Sequence, residues 1–266
     1  MIDYKSMLPN DVETLKRLWL KCFYDKEEAT ELFFKRNKNY THGYVAADGD
    51  IIVSAVYLID CNLCGKSAHY LCGAATLPEY RNRGIMTELI KFALADAKKR
   101  GDCYSVLLPA NEGLYGFYAK LGYSEGCTSC RSFFECEPAA ESVDNAEPDY
   151  FELQKCSADK FLLWNKNYIE FARDYYACYG VKNVIGKNAF ALFERKGDTA
   201  EVFYAIYNSL SELKYLLSSK GIKQFWLTGS ASNPLFENAE PTVSGMIMPL
   251  GGSKALNNVY IGITLD

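Results

Sequence analysis

The sequence predicts an α+β (α/β mixed-sheet) fold in two domains, and three observations carry that prediction. Strand-like and helix-like patterns alternate over residues 1–136 in the order β-α-α-β-β-β-α-β-α-β. One helix is strongly periodic, with Ile85/Met86, Leu89/Ile90, Ala93/Leu94 and Ala97 at helical spacing between two apolar strand-like runs. The stretch Glu137–Asp149 is acidic, contains proline and is nearly free of large apolar residues, which is linker composition. The 266 residues therefore divide into a first domain (1–136), a linker (137–150) and a second domain (151–266).

In the first domain a strand over residues 2–6 precedes a helix from about Asn10 to Phe23, with Asp11 near its start, and a second helix through Glu27–Arg36. His42–Ala47 and Ile51–Asp60 pattern as strands joined by the hairpin tripeptide Asp48-Gly49-Asp50. The strand Ala68–Leu77 leads into the periodic helix. That helix stops at Lys98-Lys99-Arg100-Gly101, cations on the negative helix end followed by a terminating glycine. Cys103–Pro109 reads as a buried strand, Leu114–Leu121 as a short helix and Ser132–Cys136 as a closing strand.

The second domain is expected to open with one long helix over 157–180, carrying Phe161, Trp164, Tyr168, Phe171 and Tyr175 on one face as packing residues. A hairpin, Ala189–Arg195 with Thr199–Tyr207, turns at Gly197-Asp198. The helix Ser209–Ser219, the strand Ile222–Thr228 and two strands near Val243–Met248 and Val259–Leu265 follow. The strand-helix-strand order of 199–228 repeats that of 68–108.

Composition excludes several functions. Hydrophobic residues are 49% and aromatic residues 14% of the chain, enough for sizeable cores. No apolar run approaches the roughly 18 residues that span a bilayer, and the first residues lack a signal-peptide pattern, so a cytoplasmic protein without a membrane partner is expected. The net charge of −4 belongs to the linker, which holds five acids and no base, while each flanking domain is close to neutral. With no basic face, nucleic acid is not an expected partner. The ten cysteines are expected as reduced thiols. Two CxxC pairs, Cys61/Cys64 and Cys127/Cys130, would have to converge to bind zinc, and neither has an adjacent His, so no metal is expected. The two histidines, His42 and His69, cannot supply a Ser-His-Asp triad or a multi-His metal site with any support from spacing, and both are expected at the surface.

Chemistry concentrates in Thr76-Leu77-Pro78-Glu79-Tyr80-Arg81-Asn82-Arg83-Gly84-Ile85-Met86-Thr87. It joins a strand to the N-terminus of the periodic helix, where free backbone N–H groups and the positive helix end favour phosphate oxygens. Gly84 permits close backbone approach, and Arg81 and Arg83 add positive charge. This segment resembles the pyrophosphate loop of the GNAT acetyltransferase superfamily, Gln/Arg-x-x-Gly-x-Gly/Ala, and reads here Arg81-x-x-Gly84-x-Met86. Met86 departs from the small final residue. Gly116-Phe117-Tyr118-Ala119-Lys120-Leu121-Gly122-Tyr123 is similar to a second landmark of that family, and the element order agrees with it.

The resemblance implies an acetyltransferase fold in residues 1–136, with acetyl-CoA as co-substrate and no metal. It implies that the backbone of Ala74, Ala75 and Thr76 pairs with the pantetheine amides. The backbone of Asn82, Gly84, Ile85, Met86 and Thr87, flanked by Arg81 and Arg83, would hold the pyrophosphate. Asn111 joins these binding residues, and Tyr118 would be the general acid of acetyl transfer to a primary amine, small-molecule or protein-borne. The alternative is a non-catalytic acyl-CoA sensor or scaffold; a homo-oligomer is compatible with either. Residues 151–266 resemble the truncated second module of enhanced-intracellular-survival-type relatives, without their sterol-carrier-like domain. That module lacks a pyrophosphate loop and is expected to bind no CoA. Glu27, Glu28 and Glu31 are read as a solvated helix face and Asp266 as an exposed terminus.

Overall fold

The computed structural model describes residues 1–136, 146–157 and 160–265. It contains two compact units that interleave along the chain: Met1–Ser124 with Met246–Ala255, and Glu125–Gly245 with Leu256–Leu265. The chain thus changes unit near residue 124, not at the expected linker. The reason is strand pairing. The strand Ser124–Glu135 is far longer than the expected Ser132–Cys136, and from Cys130 to Glu135 it pairs with Gln224–Gly229 of the second unit. Residues 137–145 of the expected linker, and Asp266, lie outside the described residues.

In the first unit, β1 (Ile2–Ser6), β2 (Thr41–Asp48), β3 (Ile51–Leu63), β4 (Lys66–Thr76) and β5 (Tyr104–Leu107) are neighbours in that order. Met246–Pro249 then pairs antiparallel with β5. The first four strands are antiparallel to their neighbours, and β4 and β5 are parallel. The parallel pair needs a crossover, which α3 (Ile85–Arg100) supplies. Its predicted apolar stripe is buried: Leu89, Ile90, Ala93 and Leu94 pack on Val56, Leu58 and Leu71 of β3 and β4. The other face of β3 carries Tyr57, against which α1 (Val12–Phe23) and α2 (Glu27–Arg36) pack Trp19, Phe33 and Phe34 with ring centroids 5.2–5.8 Å from it. The short helix α4 (Tyr115–Lys120) completes the unit.

The C-terminal end of α3 is held by a polar network. The Tyr44 hydroxyl donates to Asp96 (2.7 Å), and Arg100 donates to Asp96 (2.6 Å) and to Asp102 (3.2 Å). Asp102 also accepts from Ser67 (2.7 Å) and lies 2.7 Å from Nδ1 of His69. His69, expected at the surface, is therefore fully buried; only His42 keeps part of its surface, beside Asp60 at 3.1 Å.

In the second unit the strand order is β6 (Ser124–Glu135), β11 (Gln224–Gly229), β10 (Thr199–Tyr207), β9 (Ala189–Lys196) and β8 (Lys182–Gly186). Here β10 and β11 are the parallel pair, bridged by α7 (Leu210–Ser219), so the repeated strand-helix-strand order is a repeated crossover. The long helix expected over 157–180 is instead α6 (Lys166–Ala177), preceded by α5 (Tyr150–Ser157) and the two-residue strand β7 (Leu162–Leu163). Asn165 sets the start of α6, because its side chain caps the Tyr168 amide at 2.9 Å. Phe161 and Trp164 consequently lie before the helix, with Trp164 stacked on Tyr168 at 4.1 Å. The strand near Val243–Met248 is β12 (Thr242–Pro249), whereas the one expected at 259–265 is irregular chain with isolated bridges at Val259 and Tyr260.

Cys127 and Cys130, three residues apart on β6, point to opposite sheet faces. Among the described residues no group of three or more His, Cys, Asp or Glu could hold a metal, and no helix is long and apolar enough to cross a membrane.

Burial holds the His69 imidazole below its ordinary value of 6.5, against the pull of Asp102. With Nδ1 donating to Asp102, Nε2 is a buried acceptor without a partner, so protonation would place an unsatisfied N–H in the core. A base with a lowered folded pKa binds its proton more readily in the unfolded chain. Its contribution to stability is therefore present above pH 6.5 and is lost as pH falls below it. The thermal midpoint is expected to decline steadily from pH 7 to pH 5, and His69→Gln to flatten that decline. A wild-type midpoint constant over this range would contradict the buried neutral imidazole.

Candidate active site

The candidate site grows from one irregularity in β4. The β3–β4 register advances from Tyr57↔Cys72 to Ala55↔Ala75, so Gly73 and Ala74 together oppose Val56 in a β-bulge. Gly73 sits at φ +60, and a Cβ there would lie 2.5 Å from Trp19 Cζ3 and 2.8 Å from Tyr57 Cδ2. The parallel register of β4 with β5 covers only Ala68↔Tyr104, His69↔Ser105 and Tyr70↔Val106. Beyond Tyr70 the strands no longer pair, while β4 stays bonded to β3 up to Thr76.

A cavity of about 730 Å³ opens there, within the usual range for small-molecule sites. One side is Ala74, Ala75 and Thr76 of β4. A second is the loop and first turn of α3, including Arg81, Asn82, Gly84, Ile85, Met86 and Thr87. Ala110, Asn111, Leu114, Phe117 and Tyr118 supply a third, and Cys22 and Phe23 from the end of α1 a fourth. Every residue expected to bind acetyl-CoA except Arg83 lines this one space.

The loop presents backbone to it. Asn82 (φ 61) and Gly84 (φ 75) both take the left-handed conformation, which turns the chain into α3. Gly84 is the N-cap and carries no side chain to satisfy the first-turn amides. A Cβ built on Gly84 meets nothing within 4 Å, so the space beside Gly84 is open. The arginine side chains are engaged elsewhere than expected. Arg81 Nε donates to the Thr76 carbonyl (3.0 Å), and Arg83 donates to the Glu79 carbonyl (2.6 Å) with its guanidinium 4.9 Å from the Tyr80 ring centroid. They brace the loop, and the Arg81 charge at the cavity wall adds to the positive end of α3.

Tyr118 is only 7% exposed, set edge-on between Phe117 (5.0 Å) and Tyr123 (5.9 Å). Tyr123 is anchored by a 2.5 Å hydrogen bond with Ser105, and burial pushes its phenol well above the ordinary range. Tyr118 is thus held rigidly at the cavity wall by neighbours that themselves cannot ionise near neutral pH.

Sequence reasoning missed Gly73, Cys22, Phe23 and the wall formed by Leu114 and Phe117. An isolated glycine inside a strand pattern is a bulge signal, and Gly73 could have been read that way. Cys22 and Phe23 had no motif; tertiary packing alone brings the end of α1 to β4.

Comparison with known proteins agrees with this architecture. Residues 3–126 match the family model of the acetyltransferase (GNAT) domain. Over 83 residues the chain is 31% identical to glucosamine 6-phosphate N-acetyltransferase 1 of Oryza sativa subsp. japonica, a match covering 31% of this chain and 47% of that protein. It therefore spans about half the length of that relative. A GCN5-related N-acetyltransferase from Anabaena variabilis superposes with a TM-score of 0.70 at 16% identity, covering 93% of this chain and 72% of that one. Eis1 from Mycobacterium abscessus does so with a TM-score of 0.69 at 13% identity, covering 94% and 73%. These likenesses establish the fold over most of the chain.

Gly73→Ala tests the bulge. Overpacking against Trp19 and Tyr57, added to the left-handed φ, is expected to lower the unfolding free energy by about 1–3 kcal/mol in urea titration. Wild-type stability in that variant would show that the strand relaxes freely and that the bulge is not imposed by packing.

Proposed function

We propose that this chain transfers the acetyl group of acetyl-CoA to a primary amine, as the match of residues 3–126 to the acetyltransferase (GNAT) domain model supports. A single observation carries the reading: the unpaired end of β4 and the uncapped N-terminus of α3 border one cavity whose third wall holds Tyr118. The backbone of Ala74 and Ala75 would take the pantetheine amides as a short strand addition, with the Thr76 amide beside them. The Thr76 carbonyl already accepts from Arg81. The first-turn amides of α3 and the Asn82–Gly84 backbone would hold the pyrophosphate. Asn111 borders the same space.

When bound, acetyl-CoA supplies an acetyl thioester open to attack by a neutral amine. Tyr118 then has one task, to donate a hydrogen bond to sulfur as negative charge develops there. A free tyrosine is a weaker acid than a free thiol, so full proton transfer to sulfur is uphill. The hydrogen bond alone favours the transition state over the ground state. The rice relative is named for glucosamine 6-phosphate, which makes aminosugar phosphates one acceptor class to test beside other amines.

The second unit supports a single cofactor site by contrast. The connection from β10 to α7 is only Asn208-Ser209, and the N-terminus of α7 is closed by its own side chains. Ser209 Oγ accepts from the Glu212 amide (3.4 Å), and the Glu212 carboxylate, held by Asn188, lies over the same turn. A carboxylate there repels a phosphate.

Two outcomes test the proposal. Gly84→Val, a β-branched side chain at a left-handed position, is expected to weaken acetyl-CoA at least tenfold, about 1.4 kcal/mol, in calorimetry that gives one site per chain for the wild type. Unchanged affinity, or two sites, would contradict it. Tyr118→Phe keeps the ring and removes the hydroxyl. It is expected to lower kcat about 100-fold with acetyl-CoA affinity nearly unchanged, and wild-type turnover with chemistry rate-limiting would exclude Tyr118 as the acid.

A further inference from the structure

The end of α1 places an apolar surface in the cavity that cofactor binding does not use. Phe23 is 40% exposed and lines the cavity, facing a space shared with Leu114 and Phe117, which pack from behind on the core of the unit. Exposed aromatic surface inside a cavity is a recognition feature when the ring is held still.

Phe23 is held still by a chain of contacts. Its ring meets Trp19 edge-on, with centroids 4.9 Å apart. Trp19 packs on Phe33 at 4.5 Å and fills the notch left by the missing side chain of Gly73. Its indole Nε1 donates to Asp25 Oδ2 at 2.9 Å. That bond spans the elbow between α1 and α2, where Tyr24 takes the left-handed conformation (φ 54) with 91% of its surface exposed. A non-glycine residue in this conformation costs about 1 kcal/mol and persists where its surroundings enforce it. The Trp19–Asp25 bond ties the two sides of the elbow across this turn.

We propose that Phe23 is the acceptor-selecting residue of the cavity and that the preferred acceptor is an amine borne on an aromatic or other flat apolar group, with the Trp19–Asp25 hydrogen bond as the device that positions it. The inference rests on the acetyl-CoA reading above, which assigns β4 and the start of α3 to the cofactor and leaves the α1 side to the acceptor. A rigid ring offers its area without an ordering cost. A polycation or a phosphorylated sugar would lose hydration against the same face without a compensating hydrogen bond from it.

The test follows CoA thiol release from acetyl-CoA with 2-phenylethylamine, spermidine and glucosamine 6-phosphate as acceptors. 2-Phenylethylamine is expected to have a kcat/KM at least tenfold above the other two. Phe23→Ala is expected to raise its KM about tenfold while acetyl-CoA affinity stays within twofold. Phe23→Leu, which keeps apolar bulk, should recover part of the loss. Trp19→Phe keeps an aromatic ring against Gly73 but removes the N–H donor, so it should raise the same KM with little change in kcat. Equal or better turnover of spermidine or glucosamine 6-phosphate, no turnover of any amine by acetyl-CoA-saturated protein, or an unchanged KM in Phe23→Ala would overturn the proposal. Calorimetry separates the two levels. Failure of acetyl-CoA to bind removes the underlying reading and this one with it, whereas intact binding without aromatic preference removes this one alone.

Discussion

The absence of room for a side chain at Gly73 is the constraint on which the rest of the first unit depends. Trp19 and Tyr57 occupy the position a Cβ would take, so only glycine fits the left-handed bulge by which β4 gains a residue relative to β3. Pairing with β5 ends at Tyr70, just before the bulge, and beyond it β4 runs on beside β3 alone to Thr76. An unpaired strand end is ordinarily a liability, since its N–H and C=O groups invite another strand. Here it borders a cavity, and the proposed function gives it a use as a surface for the amides of a ligand.

Helix α3 works at both ends. At its C-terminus, Asp96 and Arg100 join Tyr44, and Arg100 reaches Asp102, which binds Ser67 and His69, so the helix is fastened to β2 and β4 by buried or half-buried polar contacts. Such contacts define orientation more than they add stability. Hydrogen bonds from His69 and Ser67 hold the Asp102 carboxyl below its ordinary value even though burial opposes this. At its N-terminus the helix is left open behind Gly84. The second unit repeats the crossover with opposite choices: α7 starts two residues after β10 and is closed by Ser209 and Glu212. One architecture thus yields an anion-ready helix end in one unit and a self-satisfied one in the other, and the difference is a handful of residues.

Much of this was legible in the sequence where local chemistry determines structure. The stripe from Ile85 to Ala97 is buried as its period requires, and the loop Arg81–Gly84 stands where a strand meets that helix. The hairpin at Asp48-Gly49-Asp50 forms as its turn residues dictate. What was not legible depends on contacts distant in sequence. Phe161 and Trp164 share helical spacing with Tyr168, yet the Asn165 cap starts α6 after them. Ser124–Glu135 is longer than its local pattern, and its partner from Cys130 to Glu135 is Gln224–Gly229, about 90 residues on. His69 is buried because Asp102, beyond the end of α3, reaches it. Arg81 and Arg83 read from the sequence only as charges near a glycine, and the backbone carbonyls of Thr76 and Glu79 that they bond were not legible there. Phe23 entered the site through the packing of Trp19 on Gly73, which no spacing encodes.

Amide hydrogen exchange with and without acetyl-CoA tests the central claim most directly, because it reports on backbone donors individually. The account predicts slowed exchange at Ala74–Thr76 and Asn82–Thr87 on saturation, with Ser209–Leu213 unchanged. Protection at the start of α7, or saturation without protection at Asn82–Thr87, would contradict a single site built on the opened end of β4 and the uncapped turn of α3.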